Sequence, residues 1–319
     1  MTPVNNKPDT TAEFVAWFRS VAPYIHTFRG KVFVIGFSGE MITDAKFVDF
    51  IHDINLLASL GVRLVLVHGA RPQIQLRLDE SQLETQTVMG MRVTDPAALQ
   101  CVKESIGRVQ HEIAALLSMG LPNSPMANAA IRVTSGNFVT ACPYGIIQGV
   151  DLMHTGKVRK INAQAIHSRL EQGDVVLISP LGYSPTGEIF NLTMENVATE
   201  TAIALRAEKL IFLLDAVDCT ASDENKAGKL PRELTIAESK LLLEHKIPTH
   251  APLVSDAILP ALQSATKACD QGVTRAHLIS RHCDGAILQE LFTHHGIGTM
   301  ITQESLQTLR KARIEDVGG

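Results

Sequence analysis

The sequence predicts an α/β fold: an open, mostly parallel sheet with helices on both faces, in two lobes. Three observations predict it. Two β-branched apolar runs, Lys31-Val-Phe-Val-Ile-Gly36-Phe-Ser38-Gly39 and Val62-Arg-Leu-Val-Leu-Val67-His68-Gly69, each break into glycine. A helical stretch separates them, giving strand, helix and strand in about 35 residues, which requires parallel pairing and a right-handed crossover. The composition is 45% hydrophobic but only 5% aromatic. Val, Ile, Leu and Ala therefore carry the packing, as in parallel sheets covered by helices.

The elements follow in order. Residues 1–11 are polar and contain proline, so they read as loose. Phe14, Phe18, Val21, Ala22 and Ile25 recur at helical spacing, with Pro23 placed to kink or end that helix. A strand covers 32–35. A helix covers 47–60, with Gly61 as its stop. The second strand covers 64–67, and a long helix 98–119. Residues 131–141 read as a hairpin or a bent strand, and 174–179 as a buried strand that ends in turn residues. A helix over 196–205, a strand over 209–215, a helix over 257–272 and a strand over 276–280 complete the pattern.

Composition excludes several classes. A chain of 319 residues suffices for one large α/β domain or two lobes. The net charge of −4 argues against a nucleic-acid or anionic-membrane partner. The five cysteines (Cys101, Cys142, Cys219, Cys269 and Cys283) are widely spaced and form no CxxC pair. Neither a disulfide frame nor a zinc site is indicated, and a reducing cytoplasm fits. His282, His294 and His295 have no metal-ligand pattern. Asp9, Glu13, Arg19 and Arg29 interrupt the first 30 residues, so they form neither a signal peptide nor a membrane span.

A buried strand that breaks into glycine lets backbone N–H groups approach an anionic ligand, with a helix N-terminus behind them. The two strand-glycine turns resemble the opening of the amino-acid kinase family, most closely acetylglutamate kinases. The similarity runs from about Tyr24 to Ile301 and is closer still to the kinase-like half of bacterial N-acetylglutamate synthases. Gly69-Ala70-Arg71-Pro72 stands where the kinases have Gly-Gly-Gly-Pro. The stretch Gly149-Val-Asp-Leu-Met-His154-Thr-Gly156-Lys-Val-Arg159-Lys160 and the ending Ala312-Arg-Ile-Glu-Asp-Val-Gly-Gly are synthase-like. Taken alone, the ending reads better as a frayed tail; taken with the rest of the resemblance, it implies the start of a second domain.

Within that resemblance the phosphoryl-transfer machinery is dismantled. Gly36 stands in place of one family lysine and Ala261 in place of the second. Ser255-Asp256 replaces a Gly-Gly turn, and the Asn-x-Asn-x-Asp pattern appears as Asn191-Leu-Thr193-Met-Glu195. Loss of two cations removes the charge stabilisation that phosphoryl transfer needs. The alternative is an active acetylglutamate kinase using ATP and other lysines, such as Lys31 or Lys209. Gly69, Arg92 and Asn191 match a residual acetylglutamate-like pocket. Arg92 could still grip a carboxylate there, or both polar residues could now be structural.

The positions of an arginine effector site are intact. Tyr24, Lys209, His277, Glu290, Gly296 and Gly298 match residues that bind L-arginine in arginine-inhibited acetylglutamate kinases. Glu290 would pair with the guanidinium, Lys209 would hold the α-carboxylate, and Tyr24 would close the site from the N-terminal helix. The resemblance thus implies a cytoplasmic, arginine-sensing regulatory domain of a glutamate N-acetyltransferase, itself without kinase activity. It divides the chain into an N-terminal arm (1–30), a kinase-like domain (31–302) and a linker into a GNAT-type acetyltransferase domain (303–319). Acetyl-CoA and L-glutamate would be substrates of that further domain, and no cofactor or metal would bind here. Phe14, Trp17 and Phe18 suit an arm exchanged between subunits of a homo-oligomer, a hexamer built from dimers.

Overall fold

Side chains of the Val32–Phe37 strand alternate between two cores. Phe33, Ile35 and Phe37 enter one, and Val32 and Val34 the other. Arg63–His68 repeats the alternation, with Leu64 and Leu66 in the first core and Val65 and Val67 in the second. A strand buried on both faces needs an apolar residue at every position, which explains the unbroken β-branched runs.

The computed structural model describes residues 10–215, 230–244, 258–293 and 296–303. Eight strands form the main sheet. Their order is Glu233–Thr235, Thr299–Thr302, Arg275–Ser280, Lys209–Leu214, Val32–Phe37, Arg63–His68, Val175–Ile178 and Val133–Thr134. Neighbours are parallel except Thr299–Thr302, which runs antiparallel to Arg275–Ser280. The open, mostly parallel sheet expected from the sequence is the observed one. Helices Phe47–Ser59, Arg71–Glu80, Pro96–Leu117 and Ala286–Phe292 cover the first core. Helices Ala163–Glu171, Met194–Leu205 and Leu259–Asp270 cover the second.

Side chains fix the starts of several helices. Asp95 accepts from the Ala98 N–H at 2.7 Å, so the long helix begins at Pro96. Thr193 accepts from Asn196, and Thr235 forms a capping box with Glu238. The run over 131–141 serves two sheets. Val133–Thr134 closes the edge of the main sheet, and Val139–Pro143 joins a second sheet with Gly156–Ile161, Leu181–Tyr183 and Ile189–Asn191.

The N-terminal helix runs Thr10–Phe28 straight through Pro23. Val21 and Phe28 are buried and anchor its last turns, whereas Phe14, Trp17 and Phe18 are more than half exposed. Cysteine spacing gave no reason to expect a disulfide, yet Cys283 is disulfide-bonded. Among the described residues, no helix is long and apolar enough to cross a membrane. The expectations for residues 1–9, the Ser255-Asp256 turn, His294, His295 and 304–319 lie outside the described residues.

Candidate functional site

Lys209 begins its strand, and Ile211 and Leu213 continue the same face into the first core. His277 is the register partner of Ile211 on the adjacent parallel strand, so its side chain emerges on that face too. There the Lys209 ammonium donates to His277 Nε2 at 3.0 Å. On the other side, His277 Nδ1–H donates to Glu290 Oε1 at 2.7 Å. Glu290 comes from the helix Ala286–Phe292, which packs over the same core. Its second oxygen accepts from the Ile297 and Gly298 amides at 2.7 and 2.9 Å. The three side chains form one continuous chain of hydrogen bonds.

Burial sets their protonation. It brings Lys209 down to about 8, with the Arg275 charge adding to the effect. It takes His277 down to about 4, again helped by a neighbouring cation, Lys209. For Glu290, burial works upward, but the His277 hydrogen bond and the Gly298 and Ile297 amides outweigh it and hold the carboxyl at about 2. Near neutral pH the chain is therefore an ammonium, a neutral imidazole and a carboxylate. The imidazole tautomer is fixed by its two partners, because Lys209 can only donate and Glu290 can only accept.

Aromatic rings wall the cluster. Lys209 Nζ lies 5.3 Å from the centre of the Phe28 ring. Phe28 meets Phe292 edge-on, and Tyr24 meets both of them. Tyr24 thus reaches the cluster through Phe28 and Phe292. The Gly296 φ is +56°, and a Cβ there would stand 2.6 Å from Glu290 Oε2. A Cβ on Gly298 would stand 2.4 Å from the Leu278 carbonyl oxygen. Both glycines let the loop close against Glu290 and the sheet. All six effector candidates therefore gather at one place. Sequence reasoning missed Phe28, Phe292 and the Ile297 amide. An amide leaves no trace in residue identity, and the two phenylalanines look like ordinary core.

Gly36 and Ala261, where the resemblance implies lost lysines, are filled rather than open. Gly36 continues the Val32 and Val34 alternation into the second core, where Ala261 is also buried. Gly36 and Phe212 are register partners, and the Phe212 ring covers the missing side chain. A Cβ at Gly36 would lie 2.7 Å from Met194 Sδ and 2.9 Å from the Phe212 ring.

Gly69, Arg92 and Asn191 are engaged internally. The Gly69 N–H donates to the Phe37 carbonyl at 2.7 Å, and a Cβ there would press on the Gly39 backbone at 3.0 Å. The two glycine turns pack on each other. Arg92 donates to Thr85 Oγ1 and, at 2.9 Å, to Gln75 Oε1. Asn191 Nδ2 donates to Thr94 Oγ1 at 3.1 Å, and Thr94 in turn meets Thr155 at 2.7 Å. Burial, then the adjacent Arg71 cation, lowers the Arg92 pKa.

A separate cavity lies at the start of the helix Ala286–Phe292, lined by Lys46, Asp49, Asp53, Arg281 and Asp284 among others. Burial, with Asp284 and Asp49 nearby, pushes Asp53 up to about 7. Its cations are already engaged: Lys46 donates to the His282 carbonyl at 3.0 Å, and Arg281 pairs with Asp44 at 3.1 Å.

The sequence pattern of the Amino acid kinase family matches residues 31–280. An amino-acid acetyltransferase of Ralstonia nicotianae is 48% identical over 308 residues, 96% of this chain and 66% of that protein. One from Pseudomonas fluorescens is 47% identical over 309 residues, 96% of this chain and 69% of that protein. The N-acetylglutamate synthase of Neisseria gonorrhoeae, solved with coenzyme A and L-arginine, superposes with a TM-score of 0.80 at 35% identity. The match covers 92% of this chain and 66% of that one. Carbamate kinase of Giardia lamblia shares the fold alone, at 14% identity and a TM-score of 0.62. The chain spans about two thirds of the length of the acetyltransferases it matches.

Proposed function

This chain belongs to the amino acid kinase family, on its amino-acid acetyltransferase branch, and from that premise we propose that it is the arginine-sensing, kinase-like domain of an N-acetylglutamate synthase. It performs no phosphoryl transfer. The acetyl transfer from acetyl-CoA to L-glutamate belongs to the part of the relatives that this chain does not cover. The protein works in the cytoplasm, in arginine biosynthesis, as a homo-oligomer joined through its N-terminal helix.

One observation carries the reading. Lys209, His277 and Glu290 lie in a single buried chain walled by the N-terminal helix. Its two ends suit an amino acid with a cationic side chain: an ammonium for the α-carboxylate and a carboxylate for the guanidinium. The arginine complex of the Neisseria protein supports the choice of ligand. The wall at Gly36 weighs against the kinase alternative, because a lysine there would displace Phe212 or Met194. Calorimetric titration with L-arginine tests the proposal. Binding is expected, weakened by about 2–5 kcal/mol in Glu290→Ala. No heat and no melting shift at millimolar arginine would refute it.

A further inference from the structure

Glu290 has little room for a ligand as it stands. A carboxylate oxygen offers two lone pairs. Oε2 uses both, on the Ile297 and Gly298 amides, and Oε1 uses one on His277. Only one acceptor position remains, on a side chain that is 5% exposed. A guanidinium forks across two oxygens. It cannot make both bonds until Oε2 gives up an amide. The loop is shaped for its present contact, since Gly296 and Gly298 remove the Cβ atoms that would keep it from Glu290 and from the sheet.

We infer that the effector site is latched from within: the Glu290 carboxylate clasps Ile297 and Gly298, and an arriving guanidinium takes the carboxylate and frees the loop. This rests on the arginine-sensing reading and adds how the signal leaves the site. Gly298 is followed directly by the strand Thr299–Thr302, whose Met300 is the register partner of His277 and whose Ile301 faces Ala276. On its other side that strand pairs with Glu233–Thr235. Releasing the latch therefore changes the lead-in to a strand clamped between two neighbours. Lys209 and His277 stay paired throughout, so the ligand's carboxylate still meets a preset cation.

Amide hydrogen exchange, read at Ile297 and Gly298, tests the latch with and without L-arginine. Hydrogen bonds to a charged acceptor predict protection of these amides in the free protein, lost by on the order of tenfold to a hundredfold when arginine binds. Glu290→Gln should exchange faster at both positions without any ligand. Arginine binding by calorimetry with unchanged exchange at both amides would overturn the latch and leave the sensing role standing. Wild-type exchange rates in ligand-free Glu290→Gln would overturn it as well. Failure of arginine to bind at all would overturn both.

Discussion

Replacing Gly36 by alanine tests how tightly the second core is packed around that position. The new Cβ would stand 2.7 Å from Met194 Sδ and 2.9 Å from two atoms of the Phe212 ring. Phe212 is fully buried on the neighbouring strand and has nowhere to swing, whereas Met194 is a flexible side chain at a helix start. Overpacking of this kind costs about 1–3 kcal/mol. The strand conformation suits alanine, so a narrower unfolded ensemble returns about 0.4–1 kcal/mol. From the middle of each range a net loss of about 1.3 kcal/mol follows, which lowers the melting temperature by roughly 3–5 °C at about 2–4 °C per kcal/mol. Thermal unfolding of Gly36→Ala, Met194→Ala and the double variant reads it directly. In the Met194→Ala background one wall is gone, so the cost of Gly36→Ala should shrink by about 1 kcal/mol. Gly36→Lys should lose more than Gly36→Ala and gain no ATP turnover. A neutral or stabilising Gly36→Ala, or an equal cost in both backgrounds, would refute the reasoning.

Four further outcomes are expected. His277 and His68 both sit near 4 in the fold, against an ordinary 6.5, mainly through burial. The unfolded chain then binds more protons at these two sites, so their stabilisation is full above pH 6.5 and is lost as the pH falls toward 4. Asp53, raised to about 7, opposes this trend below pH 7, and urea titrations should show a net uptake of about one proton on unfolding. Arginine affinity should fall as the pH rises through about 8, where Lys209 loses its charge, and calorimetry from pH 7 to 9.5 would reveal a flat profile if Lys209 is not the carboxylate partner. Phe292→Ala opens the ring cluster with Tyr24 and Phe28 and should cost about 3–5 kcal/mol, measured by denaturant unfolding. Trp17→Asp with Phe18→Asp places charge on an exposed aromatic stripe, so light scattering should report a smaller assembly and an unchanged melting transition of the subunit.

The inner strands were legible because burial on both faces leaves short, predominantly apolar runs. Val32–Phe37, Arg63–His68, Val175–Ile178, Lys209–Leu214 and Arg275–Ser280 are all of this kind. The edge piece Glu233–Thr235 was not legible, and Val133–Thr134 was legible only as part of a longer bent run. Two or three residues have no period of their own, and their register comes from the neighbour. The helix Ala163–Glu171 escaped for a related reason, since only Ile166 and Leu170 of it are buried. Lys209 and His277 are 68 positions apart, and nothing local to either announces the other. Family resemblance singled them out, and the alternation of two adjacent strands explains why they meet. Resemblance did not foretell that Glu290 would already be engaged. Its partners are backbone amides, which every residue except proline carries.

The position of Thr299–Thr302 has a mechanical consequence. The strand is zipped on both sides, to Arg275–Ser280 and to Glu233–Thr235. A pull directed along the strand axis would load both ladders in shear, so their hydrogen bonds would have to fail together rather than one after another. Under modest tension such a strand works as a tie rod. Loaded that way, it would carry a small displacement from one end to the other.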